Sequence, residues 1–259
     1  MKTLLVTCIK GGVGKSTTSM SVAAGIKQMK PEASVLLIDG DPQGSVKSCF
    51  GLKLAQNSNE DFASFLIEDT PFENAVQKVD IGDGLTMDVM ISSRRLSEAD
   101  LKMAAFPRRE ETLKMRFKKQ NVSYDYVVID SSPAMNLTLL NFMTFADYWL
   151  IPSSMDAFSI SNINYLFEQA KIIEEFYDKH PKIIGILPTM FDRRTTVSSQ
   201  ALDAVKAKFG DRTQIFDPIP IDSTVKKAQV KRQVIYQFLG ESRAANAYKS
   251  LSEEIVEMI

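Results

Sequence analysis

Two cysteines and a single histidine are all that 259 residues offer as soft metal ligands. Cys8 and Cys49 form no Cys-x-x-Cys pair and His180 stands alone, so the spacing argues against a zinc or iron–sulfur centre and against a disulfide framework. No run approaches the ~20 apolar residues that cross a bilayer. The apolar opening from Leu4 to Cys8 is too short for a signal peptide. The expectation is a soluble, cytoplasmic protein. Linkers rich in proline, glycine or serine are also missing, as are repeats and low-complexity tracts, which predicts a single domain over residues 1–259. Apolar residues make up 44% of the chain, enough for a sizeable core. Net charge is only −1, yet residues 193–232 hold nine Lys/Arg against four Asp/Glu. Such a local excess marks either a solvated surface or a polyanion-binding face.

What is present begins at "CIKGGVGKSTT", Cys8 to Thr18. Glycines let backbone N–H groups curl around a phosphate, and a helix starting at Ser16 would present its positive end to the same anion. In this loop Lys15 is placed to reach the β/γ-phosphates and the Ser16 hydroxyl to bind Mg²⁺. The strict pattern would have glycine at residue 9. Ile9 stands there instead, and a second lysine, Lys10, precedes Gly11 and Gly12.

Continuous apolar stretches alternate with amphipathic ones. Strands are predicted over Thr3–Cys8, Ser34–Asp39, Leu85–Ile91, Tyr124–Asp130, residues 147–154 and Lys182–Leu187. Helices are predicted over Ser16–Met29, Ser97–Lys119 with Pro107 as its point of interruption, Ser159–Tyr177 and Ser242–Met258. This order implies an α/β fold, a mostly parallel sheet with helices on both faces. Ligands of such sheets bind beyond the carboxyl ends of the strands. The glycine loop, Asp39 and Asp41, and Asp130 all fall there. Asp39 and Asp41 are two apart and share a face in an extended segment. Asp130 closes the apolar run "YVVI" and is suited to hold Mg²⁺, although a strand-end aspartate also caps turns.

"KGGVGKST", "LLIDGDPQG" and "YDYVVIDSSP", in this order, resemble the ParA family of partition ATPases within the deviant-Walker group of P-loop NTPases that includes MinD. "SSRRLSEADL", "MFDRRT", "IPIDSTVKKA" and "ESRAANAYKSLSEEI" resemble later blocks of the same family. The resemblance implies ATP and Mg²⁺ as cofactors, with Lys10, Gly11, Gly12, Val13, Gly14, Lys15, Ser16 and Thr17 around the phosphates. It implies Ser16, Asp39 and Asp130 at the metal, and Met190, Pro220 and Asp222 beside the adenine. Lys10 would cross a homodimer with ATP sandwiched between its subunits, acting with Lys15 and Asp41 in hydrolysis. Non-specific DNA would be bound through Arg193, Arg194, Lys226, Lys227, Lys231 and Arg232, and a ParB-like adaptor would stimulate turnover of this nucleoid-associated protein. The glycine loop starts too early for the helix-turn-helix domain of longer relatives. Departures are Cys8-Ile9 for Asn-Gln, Ser45 for asparagine, and Ile221-Asp222 for the Arg-Asn of "IPRN". A MinD-like membrane switch is the rival reading, and "SLSEEIVEMI" lacks the basic amphipathic tail it needs.

Overall fold

The computed structural model describes residues 1–54 and 60–259. The chain runs β1 (Lys2–Val6), α1 (Lys15–Met29), β2 (Val35–Gly40), α2 (Ser45–Phe50), α3 (Phe62–Ile67), α4 (Phe72–Ala75), β3 (Val76–Gly82), β4 (Leu85–Met90), α5 (Leu96–Met103) and α6 (Thr112–Lys119). It continues β5 (Tyr126–Ser131), α7 (Leu137–Phe145), β6 (Tyr148–Ser154), α8 (Ser159–Phe176), β7 (Lys182–Thr189), α9 (Thr196–Phe209), β8 (Gln214–Ile215), α10 (Ser223–Val230), α11 (Ile235–Leu239) and α12 (Arg243–Met258).

The strands form one sheet in the order β3-β4-β2-β5-β1-β6-β7-β8, and only β3 runs antiparallel to its neighbour. The central strands are apolar on both faces because both faces are covered. Leu4 and Val6 enter one core with Leu37 and Val128, beneath α1, α2, α11 and α12. Leu5 enters the other with Leu36, Ile38, Val127 and Ile129, beneath α3 and α5 through α9. The period of two along each strand thus feeds two cores at once.

Several expected boundaries move. The long helix over Ser97–Lys119 is two helices, α5 and α6, joined through a 3-10 turn at Arg109–Glu111. Pro107 lacks an N–H and biases the residue before it away from the α region, and the chain turns there with Arg108 at φ 51°. β1 stops at Val6, so Thr7 and Cys8 belong to the glycine loop. The strand predicted over Leu85–Ile91 is β4; its hairpin partner β3, the short β8 and the helices α2, α3, α4, α7, α9, α10 and α11 were not anticipated. The β3–β4 turn passes through Gly82, Asp83 and Gly84, all with positive φ, a Gly-Asp-Gly signal that the mixed polarity of "VQKVDIG" obscured. Ser242, expected to open the last helix, is its N-cap and accepts from the Ala245 N–H at 3.1 Å.

Gly40 ends β2 between Asp39 and Asp41. A Cβ there would meet the Phe142 ring and lie 2.8 Å from the Asp130 carbonyl oxygen. Gly40→Ala should therefore lower unfolding stability by about 1–3 kcal/mol through overpacking. A urea midpoint equal to that of the parent would show that the strand ends are looser than described.

Candidate functional site

Parallel register brings the strand-end groups together. Asp39 on β2 pairs with Asp130 on β5, and Asp130 is level with Val6 on β1, where the glycine loop begins. The loop then turns through Gly12 at φ 74° and Gly14 at φ 81° into α1. A Cβ added at Gly11 or Gly12 would meet nothing within 4 Å, so both glycines border open space. Gly14 caps α1 with no side chain, and the first turn holds no acidic residue. The helix's orphan N–H groups and positive end therefore face the loop uncompensated, as an anion site requires. Thr189 at the end of β7 pins the loop from outside, its hydroxyl donating to the Val13 carbonyl at 2.8 Å.

The two loop lysines occupy different places. Lys15 is buried, and its Nζ donates to the Lys10 carbonyl at 3.0 Å. Burial lowers the Lys15 pKa, opposed by Cys8, Asp130 and Asp41. Lys10 points away and pairs with Asp156, just beyond β6.

Asp130 is wholly buried. One oxygen accepts from Ser19 Oγ at 3.2 Å and the other has no hydrogen-bond partner. Burial, then the neighbouring Asp39, pushes its pKa up to about 8. Asp39 rises to about 6, chiefly from burial, although the Asp41 N–H at 3.2 Å and the Lys47 N–H at 3.5 Å stabilise its charge. Asp41 is less enclosed; it accepts the Gln43 N–H at 2.9 Å, while its backbone carbonyl receives the Ser92 hydroxyl.

Two adjacent buried carboxylates, one with an unpartnered oxygen, disfavour their own charged forms until a cation enters. No group of three or more His, Cys, Asp or Glu able to hold a metal occurs among the described residues. The paired buried carboxylates and the unpartnered Asp130 oxygen fit Mg²⁺, which keeps several waters and takes few protein ligands alongside phosphate oxygens. Ser16, Asp39 and Asp130 are the residues that would hold it.

A cavity of about 790 Å³ joins these parts, lined by Gly11, Gly12, Gly14, Lys15, Ser16, Thr17 and Asp41 on one side and by Met190, Pro220 and Asp222 on the other. Met190 sits in left-handed backbone at φ 49°, 45% exposed, with its Cε over Gly14. The Asp222 carboxylate is already engaged. It caps α10 through the Thr224 N–H at 2.9 Å and the Thr224 hydroxyl at 2.6 Å, and it accepts the Ala244 N–H at 3.2 Å. Its place in the cavity wall therefore rests on a structural cap.

The six basic residues divide. Arg193 and Arg194 line a second cavity of about 690 Å³ beside Arg243, and Arg194 is matched by Asp192 through bonds of 2.9 and 2.8 Å. Lys226, Lys227, Lys231 and Arg232 are exposed on or just after α10. Lys226 also lines the nucleotide-sized cavity, and Arg232 lies against Gly51.

Sequence reasoning missed Thr189, Gln229 (whose amide donates to the Thr17 hydroxyl at 3.2 Å), Tyr248 in the cavity wall, and Asp156. Asp156 follows a strand end as Asp41 does, so the same positional argument applied to β6 would have found it.

A family model described as an AAA domain, AAA_31, matches residues 1–183. The sporulation initiation inhibitor protein Soj of Bacillus subtilis is 27% identical over 254 residues, covering 98% of each chain. Among solved structures, apo McdA of Cyanothece aligns with a TM-score of 0.85 at 23% identity over 99% of both chains. Cobyrinic acid a,c-diamide synthase of Mycobacterium smegmatis, with bound ADP and magnesium, aligns at 0.82 and 24%, covering 99% of this chain and 94% of that one. At these identities the structural likenesses establish the fold. With the family model spanning more than half of its length and ParA-type relatives along nearly all of it, the chain belongs to the AAA_31 family and to the ParA group of ATPases.

Proposed function

We propose that this protein is a Mg²⁺-dependent ATPase that dimerises around ATP, binds DNA non-specifically and positions a cargo through a ParB-like adaptor. One observation carries the nucleotide part: the glycine loop, Asp39, Asp41 and Asp130 meet at the ends of three adjacent parallel strands, where the loop and Asp41 line one cavity. Lys15 would leave the Lys10 carbonyl for the β/γ-phosphates, and Ser16 with the two buried aspartates would support the metal. Bound Mg²⁺ would neutralise charge on the phosphates. Asp41, the least enclosed of the three carboxylates, is suited to orient the attacking water. Lys10 would meet the phosphates of a partner subunit.

The amide-forming reaction named for one structural neighbour uses the same fold, and the loop alone does not separate the two. Lys10 favours the partition reading: it is drawn out of its own subunit's loop cradle to Asp156, where a second subunit can use it. Against the membrane reading, the apolar face of α12, with Tyr248, Leu251 and Ile255, is buried with α1 in the core. No helix among the described residues is long and apolar enough to cross a membrane.

Lys15→Ala removes a charge-assisted phosphate contact and should weaken ATP binding by about tenfold or more. Unchanged affinity by calorimetry would remove the loop from the nucleotide site.

Asp41→Ala should retain ATP while losing about a hundredfold in hydrolysis, leaving a persistent dimer in size-exclusion chromatography with ATP. Normal turnover by this variant would overturn the role given to Asp41.

For DNA, Lys227 and Lys231 are the cleaner probes, since Lys226 and Arg232 also face the cavity wall and Gly51. Lys227→Glu with Lys231→Glu should leave ATP binding intact and weaken ATP-dependent co-sedimentation with DNA of any sequence. Salt dependence should also become shallower by about one unit of log–log slope per lost contact. DNA affinity equal to the parent's at about 0.15 M salt would move the binding surface elsewhere, to the Arg193 cavity first.

A further inference from the structure

The Lys10 ammonium has a partner within its own chain. It pairs with Asp156 and donates to Ser154 Oγ at 3.3 Å. The carboxylate is fixed independently of the lysine. Ser154 Oγ donates to its Oδ2 at 2.8 Å, and the Phe158 N–H donates to its Oδ1 at 3.0 Å. The Ser159 hydroxyl in turn accepts the Asp156 N–H at 2.9 Å and donates to the Ser154 carbonyl at 3.0 Å. Residues 154–159 thus form a closed turn that aims one carboxylate oxygen at the glycine loop. The pair is about one-third exposed on each side, 37% and 31%. A contact of that kind is weak enough to be exchanged for a stronger one.

We infer that Asp156 is a positioning residue for Lys10, holding it within its own subunit until a partner's phosphates take it over. This rests on the proposed role of Lys10 in the dimer. Closing the dimer then exchanges a single carboxylate for a polyphosphate. A triphosphate offers Lys10 more negative charge than a diphosphate does, so the retained lysine adds a threshold that favours closure on ATP. Lys15 reinforces the arrangement by bonding to the backbone carbonyl of the same residue.

The test measures dimer dissociation by sedimentation velocity of the full chain with Mg²⁺ and a non-hydrolysable ATP analogue. Asp156→Asn keeps an acceptor for the Phe158 N–H and removes the charge. Two pairs are released per dimer, so the dissociation constant should fall by about two- to thirtyfold, and dimer should begin to form with ADP. In a Lys10→Ala background, monomeric under the proposed role, the same substitution should restore no dimer; dimer appearing there would show that Asp156 acts without Lys10 and overturns the inference. Ser154→Ala, which loosens the turn without removing charge, should shift dimerisation in the same direction by less, and it serves if Asp156→Asn fails to fold. Unchanged or weakened dimerisation in Asp156→Asn, with Lys10→Ala monomeric, overturns the inference and leaves the role of Lys10 standing. Parent-like dimerisation of Lys10→Ala overturns that role itself.

Discussion

The site depends on an unfavourable arrangement: two aspartates side by side at the ends of apolar strands. Asp39 and Asp130 are paired by the β2–β5 register, and both are fully buried. Neither can move away without breaking a ladder that also carries Leu36 to Ile38 and Val127 to Ile129 into the two cores. The chain compensates only in part. The Asp41 and Lys47 N–H groups and the Ser92 hydroxyl stabilise charge on Asp39, and the Ser16 and Ser19 hydroxyls do so on Asp130, one oxygen of which still lacks a hydrogen-bond partner. Burial of a charge on such terms costs stability unless a counter-ion offsets it. On the proposed reading that counter-ion is Mg²⁺ arriving with the nucleotide. The apo protein holds the site together with packing, and the ligand relieves its electrostatic cost.

The same economy governs the loop. Its glycines give up side chains so that backbone N–H groups can face an anion, and α1 begins with no acidic residue to blunt its positive end. Lys15 and Lys10 then occupy separate acceptors, a backbone carbonyl and a carboxylate. Two ammonium groups in one small cradle would repel each other. The doubled lysine that sets this loop apart from the strict pattern is stable because Asp156 draws one of the pair aside.

Much of this was legible in the sequence, and the boundary of legibility has a physical cause. Strand-end logic identified Asp39, Asp41 and Asp130 because each terminates or follows an apolar run that could only be a buried strand. Loop chemistry identified Lys15 and Ser16 because glycine spacing constrains the backbone locally. Contacts between distant segments were not legible. Strand-end logic could single out Asp156 but not its pairing with Lys10, 146 residues away, and nothing near Thr17 announces Gln229, 212 away. Asp222 is expected beside the adenine from its position in a motif, and that position says nothing of the Thr224 and Ala244 N–H groups that its carboxylate accepts. The half-exposed hairpin strand β3 was missed for a related reason, since its one-sided burial leaves no long apolar run.

α10 shows what the tertiary structure adds to the functional argument. Thr224 and Ala228 anchor it in the protein. Val225, Lys226 and Gln229 look into the nucleotide-sized cavity, and the Gln229 amide reaches Thr17 at the start of α1. Lys227 and the C-cap Lys231, four residues apart, share an outer face. One short helix therefore touches the phosphate-binding end of α1 on one side and presents positive charge on the other. If the outer face meets DNA and the inner face meets nucleotide, coupling between them needs no long pathway. A small rotation of an eight-residue element changes both surfaces together. Asp222 caps α10 and also holds the Ala244 N–H in the first turn of α12, which ties the two helices together. Ile221, where the resemblance expects an arginine, lies just before this cap, and Lys227 and Lys231 place positive charge on the helix that follows it.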